Sequence, residues 1–213
     1  MPELQIVFVD EHLLVLDKPA GLLSVPGRGE DKQDCLSRRA QQHYPDALVV
    51  HRLDMSTSGL LVMARGTVAQ RRLNDAFAER EVQKRYEAVV DGLVETPGAD
   101  WQMIDLPIAL DWPNRPRRII DAQLGKPSST RWQVLATDPA NQTSRLALEP
   151  ITGRSHQLRV HLQALGHAIL GDTLYATPRV ATQSSRLLLH ASVLELTHPG
   201  SQQPMRFVSN TPF

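Results

Sequence analysis

The chain has 213 residues, 41% hydrophobic and 22% charged, with 23 basic residues balanced by 23 acidic ones. That length is ample for one large domain or two small ones with a sizeable core, in a composition ordinary for a globular protein. A single cysteine, Cys35, excludes an internal disulfide and a cysteine-built zinc or iron–sulfur site; zero net charge argues against a strong nonspecific nucleic-acid binder; 15 prolines and 12 glycines argue against a helical bundle.

The N-terminus carries Glu3, Asp10 and Glu11 and lacks a basic-then-apolar leader, so no secretory signal is read. Apolar runs such as Gly59 to Ala64 fall far short of the ~18 residues of a membrane span. A cytoplasmic location without a membrane partner is expected. Residues 5–10 and 13–17, separated by Asp10-Glu11-His12, predict a hairpin. Lys18-Pro19-Ala20-Gly21 breaks the pattern, Ser24 to Gly29 reads as a loop, and 33–44 predicts a helix ending before Pro45.

Residues 48–54 and 58–65 predict two strands joined by Met55-Ser56-Thr57. Thr67 and Gln70 have the spacing of a capping box for a helix running to about Arg80, with Ala69, Leu73, Ala76 and Phe77 on one face. A strand over 84–91 places Tyr86, Ala88 and Val90 on one side. Residues 92–127 read as loop-rich, with Pro97, Pro107, Pro113, Pro116 and Pro127, and as a place for substrate contact. Strands at 129–136 and 143–149 follow, then a helix through Leu158, His161, Leu162 and Leu165 stopped by Gly166, then strands at 186–190, 192–197 and 205–208.

Charge is unevenly spread. Residues 1–34 hold seven acids and three bases, whereas 111–131 hold Arg115, Arg117, Arg118, Lys126 and Arg131 against Asp111 and Asp121. The stretch 150–171 has Arg154, Arg159 and three histidines with no acid. A basic face is compatible with this, and so are scattered solvated arginines.

Asp54 follows a buried-looking strand, Val49 to Leu53, and precedes a polar turn, and if that strand is extended Arg52 and Asp54 point to the same side. That position suits a catalytic carboxylate, but by itself favours a turn-capping aspartate. Taken alone, Tyr86 in an alternating strand reads as core, Arg52 as a salt-bridged arginine, and Arg154 as a phosphate contact or helix-start residue.

The segment HRLDMSTSGLLVMAR, residues 51–65, closely resembles the signature of the RluA-type pseudouridine synthase family. Lys18-Pro19-Ala20-Gly21-Leu22 with Val25-Pro26-Gly27-Arg28, then Lys84-Arg85-Tyr86, residues 150–161 around Gly153-Arg154, and Leu187-Leu188-Leu189-His190-Ala191 resemble further motifs of that family, in its order. Asp111-Trp112-Pro113-Asn114-Arg115-Pro116 is similar to the short single-domain branch, which acts on a tRNA anticodon stem-loop and a hairpin of large-subunit ribosomal RNA. The resemblance implies an isomerase that turns uridine into pseudouridine: the N1–C1′ bond breaks, the uracil turns, and C5 joins C1′. No redox step or outside group is needed, so no cofactor or metal is expected. His156 and His161, five apart, also lack the spacing of a helical metal pair.

The same resemblance implies roles. Asp54 is the essential carboxylate, attacking C1′ or removing a sugar proton; Arg154 pairs with it and favours its charged form. Tyr86 lies against the target base, and Arg52 fills the gap left when the uridine leaves its stack. Arg115 belongs to the substrate-contacting segment, and Leu189 lies in the run lining the pocket floor. The partner is RNA, with no obligate protein partner and a monomer expected. The fold implied is α+β: one catalytic domain over 1–213, with a mixed, mainly antiparallel central sheet flanked by helices and loops and an active-site cleft across the sheet. The chain begins at that domain, without room for a separate S4-like RNA-binding domain. Two other readings are weighed. A carboxylate-dependent N-glycosidic hydrolase needs a second acid, for which Glu149 is the nearest candidate. A non-catalytic RNA-binding module predicts loss of Asp54 or Tyr86, and both are present.

Overall fold

The computed structural model describes residues 4–95, 98 and 100–213. Glu3 and Pro97 lie outside them. The chain divides into two compact units, one of residues 1–84 with 190–212 and one of 85–189 with Phe213. Both are α+β, as the resemblance implies.

The first unit begins with the expected hairpin, β1 (Ile6–Val9) and β2 (Leu13–Lys18). Asp10 closes it, its Oδ1 accepting from the amides of His12 (2.8 Å) and Leu13 (2.7 Å). Helix α1 (Leu36–His43) follows, with the buried Cys35 as N-cap. Then come β3 (Ala47–Val49), β4 (Ser58–Arg65) and α2 (Gly66–Ala78). The apolar face of α2 is the one the periodicity predicts. Ala69 and Leu73 are buried against Val15, Leu60 and Val62, with Ala76 and Phe77 packed alongside. Its start differs from expectation: the N-cap is Arg65 without a side-chain cap, and Gln70 Nε2 instead donates to the carbonyl of Val49 at 3.1 Å. Gly66, at φ +76°, makes the turn into the helix, so Thr67 sits inside it and no capping box forms.

The second unit opens within β5 (Gln83–Asp91), which places Tyr86, Ala88 and Val90 on the core side as read. The stretch expected as loop holds three short strands, β6 (Gln102–Asp105), β7 (Ile108–Leu110) and β8 (Arg118–Ile120). Proline bounds them too tightly for periodicity to be visible, and each exists through its ladder: β6 on a later strand, β7 on β8. Strands β9 (Ser129–Asp138) and β10 (Thr143–Pro150) form a hairpin, and α3 (Gln157–Ala164) packs on it. Gly166 at φ +87° ends that turn. A short helix, α4 (Pro178–Ala181), follows with Thr177 as N-cap. The order across this unit is β5-β10-β9-β6, all antiparallel.

The chain then enters β11 (Leu189–Thr197) and β12 (Pro204–Val208), which pair antiparallel. β11 is one strand where two were expected. Ala191, at the expected break, lies against Gly59, where an added Cβ would come within 2.4 Å of the Ala191 carbonyl oxygen. The β4–β11 pairing is parallel, which makes the first unit's sheet mixed. No helix among the described residues is long and apolar enough to cross a membrane.

Candidate active site

β4 lends its edges to three strands. One edge pairs along its length with β2. Beside it, β11 pairs at Ser58 and Gly59 and β3 pairs at Met63 to Arg65. The strand expected to run to Asp54 therefore stops at Val49, and residues 50–54 leave the sheet. His51 takes over the ladder where β3 ends: the amide of Val62 donates to His51 Nε2 at 2.9 Å. The His51 ring stacks on Phe77, centroids 4.7 Å apart. Burial, reinforced by the nearby Lys84 charge, pushes His51 from the ordinary 6.5 down to about 3. It is neutral at working pH, as an acceptor must be. Burial also lowers Lys84, whose ammonium lies 5.7 Å from the Phe77 ring centroid.

The turn beyond His51 carries Arg52, Leu53, Asp54 and Met55. The carbonyl of Asp54 accepts from the amide of Thr57 (3.1 Å), so the turn is closed through main chain. Both sides of Asp54 are pinned from the segment 18–24. Ser24 Oγ donates to the Leu53 carbonyl (2.7 Å) and accepts from the Leu53 amide (3.1 Å). The Met55 carbonyl accepts from the Gly21 amide (2.8 Å) and from Lys18 Nζ (3.1 Å). Lys18 is 0% exposed and gives further bonds to the carbonyls of Pro19 (2.9 Å) and Leu22 (2.7 Å). This is the structural work of the Lys-Pro-Ala-Gly segment: it immobilises the residues on either side of Asp54. Asp54 itself is partly buried, while Arg52 and Met55 point outward. Arg52 and Asp54 thus share a turn rather than a strand face.

In the second unit, Arg154 sits in a loop ordered by a buried glutamine. Gln157 Oε1 accepts from the Arg154 amide (3.0 Å) and from Thr152 Oγ1 (2.7 Å). Gln157 Nε2 donates to the Ser129 carbonyl (3.0 Å) and to Thr130 Oγ1 (2.9 Å). His161 Nε2 reaches the Leu106 carbonyl at 3.0 Å, so it carries the proton, and Nδ1 accepts from Thr130 Oγ1 at 2.9 Å. Burial lowers the pKa of His161, in keeping with this neutral form. Arg159 makes a buried two-bond pair with Asp172, at 2.8 and 2.6 Å. Gln157, Arg159 and His161 are scaffold, and Arg154 is exposed.

Arg115 lies at the tip of the β7–β8 hairpin. Asp111 Oδ1 accepts from the amide and side chain of Asn114, shaping the tip (3.3 and 3.1 Å). The Arg115 guanidinium lies 4.8 Å from the ring centroid of Trp112, which is 65% exposed. Tyr175 joins this hairpin to the Arg154 loop: its Oη accepts from the Arg118 amide (2.8 Å) and is hydrogen-bonded to His156 Nδ1 (2.6 Å). Tyr86 pairs with Leu148 across β5 and β10, and it packs with Leu189 in the same core cluster. Glu149 is held between Arg85 (2.8 Å) and Arg131 (3.2 Å), so it is committed to an ion-pair network rather than poised as a second acid.

The site residues that motif reading passed over as individuals are Lys18, Ser24, His51 and Gln157. Lys18 had a visible signal, a lysine ending the apolar run of β2. Gln157 had one too, as a polar residue at the start of an otherwise apolar helix face.

Residues 12–164 match the family model described as RNA pseudouridylate synthase. The chain is 48% identical over 212 residues to the dual-specificity RNA pseudouridine synthase RluA of Escherichia coli (strain K12), covering all of this chain and 95% of that one. It is 47% identical over 208 residues to the protein of the same name from Yersinia pestis, covering 98% and 99%. Among solved structures, human RNA pseudouridylate synthase domain containing 1 is similar with a TM-score of 0.80 and 29% identity, covering 99% of this chain and 84% of that one.

Proposed function

Since the chain belongs to the RNA pseudouridylate synthase family, and is thus an isomerase of uridine in RNA, we propose that Asp54 is its catalytic carboxylate and that its targets lie in both tRNA and large-subunit ribosomal RNA. The observation that supports the catalytic assignment best is the setting of Asp54. A partly buried carboxylate stands on a turn whose neighbouring residues are locked by Ser24, Gly21 and the buried ammonium of Lys18. Such preorganisation is what a group acting on one atom of a substrate needs. The dual target follows the dual specificity for which the relatives are named, and the resemblance of segment 111–116 points to an anticodon stem-loop and a ribosomal hairpin as the two forms.

The other assignments follow the motifs. Arg154 is the cation that pairs with the carboxylate and orients it. Arg52 fills the space of the extruded uridine, at an exposed position beside Asp54. Tyr86 stacks on the uracil and lies near C5 for the final proton removal, above a floor that includes Leu189. Arg115, against the exposed Trp112, contacts RNA outside the pocket. Both units together make one catalytic domain over 1–213, which works as a cytoplasmic monomer without cofactor or metal. The chemistry is internal: the N1–C1′ bond breaks, C5–C1′ forms, and the C5 proton leaves.

Asp54→Asn tests the reading. The variant keeps the fold and RNA binding and loses about 10³-fold or more in pseudouridine formation. Carbodiimide-dependent reverse-transcription stops on tRNA and ribosomal RNA, from cells with and without the protein, locate the targets. Activity in Asp54→Asn sinks the catalytic assignment; a full set of stops in cells lacking the protein sinks the targets. Arg154→Ala loses most activity with little change in stability, because the side chain is exposed.

A further inference from the structure

A buried chain of hydrogen bonds runs beneath the Asp54 turn and is used by none of the roles above. Asp17 Oδ2 accepts from Ser209 Oγ. Ser209 Oγ is 2.9 Å from His190 Nε2, and His190 Nδ1 is 2.8 Å from Ser58 Oγ. Ser58, His190 and Ser209 are 3%, 2% and 7% exposed. The chain joins β2, β4, β11 and the residue after β12, and the Ser209 amide is itself anchored on the Ser192 carbonyl at 2.9 Å.

Donor and acceptor roles along it are set by one end. A carboxylate only accepts, so the Ser209 proton points to Asp17. Ser209 Oγ then accepts from His190, which puts the imidazole proton on Nε2. Nδ1 is left as a bare acceptor, and the Ser58 hydroxyl must donate to it. Ser58 is the first residue of β4 and directly follows Thr57, whose amide closes the Asp54 turn. Asp17 and Lys18 are neighbours. Lys18 holds the near side of the turn through Met55. Asp17, through Ser209 and His190, holds the far side through Ser58.

We infer that His190 is a positioning residue for Asp54, held as its Nε2–H tautomer by Asp17 and Ser209 so that it anchors Ser58 and the end of the catalytic turn. The inference rests on the catalytic reading of Asp54. It assigns a function to the histidine of the last motif and gives Ser209, buried after β12, a part in turnover.

The test is Ser209→Ala beside Ser209→Thr, with Asp54→Asn as control, each assayed for kcat and KM on a tRNA anticodon stem-loop. The wild-type protein, labelled with nitrogen-15 in its histidines, reports the ring tautomer by NMR. Removing the hydroxyl takes from His190 Nε2 the acceptor that Asp17 orients, which frees the imidazole proton to move to Nδ1 and weakens the donation from Ser58. Ser209→Ala then loses about tenfold in kcat with KM unchanged, shows the Nδ1–H signature, and is rescued by Ser209→Thr. A wild-type ring protonated at Nδ1 overturns the wiring whether or not any variant folds. Wild-type kcat in Ser209→Ala, with Asp54→Asn inactive, overturns the positioning role alone. Activity in Asp54→Asn overturns the catalytic reading and the purpose of the relay together.

Discussion

The turn that carries Asp54 and the loop that carries Arg154 are both irregular segments, yet they are held by different means. The Asp54 turn is fastened from far away in the chain. Lys18 and Ser24 reach it across 37 and 29 residues, and a buried charge supplies part of the grip. The Arg154 loop is fastened by neutral groups: Gln157 bonds Thr152 and the Arg154 amide within five residues, and also reaches Ser129 and Thr130 on β9, 28 and 27 residues back. On the role proposed for Asp54, a nucleophile or base has to meet one atom, and a clamp built on a buried ammonium suits that demand. On the role proposed for Arg154, an arginine that pairs with a charge tolerates more play, and a network of neutral amide bonds suffices.

The contrast is breakable. The largest effect is expected for Lys18→Met, which keeps the stem and removes the three donors. Three carbonyls lose a buried partner, and the loss of stability is about 3 kcal/mol or more. Urea denaturation reads the stability, and kcat falls because Met55 keeps only the Gly21 amide as its anchor. Gln157→Leu comes next, at about 2 kcal/mol, with the activity loss appearing in KM for RNA as the Arg154 loop loosens. A larger stability cost for Gln157→Leu than for Lys18→Met would reverse the comparison.

The last contrast separates the two regions by pH. His51 supports the Asp54 turn only while neutral, and its folded pKa of about 3 lies below the ordinary 6.5. The unfolded chain therefore binds a proton that the folded one refuses. The stabilisation from His51 is complete above pH 6.5 and is lost progressively as pH falls towards 3, at no more than about 1.4 kcal/mol per pH unit. Unfolding midpoints between pH 3 and 6.5 are expected to slope upward in the wild type. The slope should shrink by this one proton in His51→Gln, and an identical slope in both would remove His51 from the clamp.

Much of this was legible in the amino-acid order. The β1–β2 hairpin, the buried face of α2, the core side of β5 and the stop at Gly166 all follow from apolar spacing and turn residues, because each is decided within a few neighbours. The ordered motifs identified the family and singled out Asp54, Arg52, Tyr86 and Arg154. The errors share one cause. The end of β3 at Val49 is decided by the sharing of one β4 edge between β3, β11 and the His51 ring, and no local pattern carries that information. The short strands in 92–127 exist only because partners lie beside them. Gln70 has the spacing of a cap, but a carbonyl of β3 takes its amide instead.

The sequence by itself determined the reaction class, since its ordered motifs identify the family whatever the packing. Tertiary structure alone decided how the carboxylate is held. A strand-end lysine becomes the buried clamp of a turn 37 residues away, and a histidine becomes the missing rung of a sheet. Buried polar groups must find partners, and their partners are chosen by the fold and not by the neighbours in the chain.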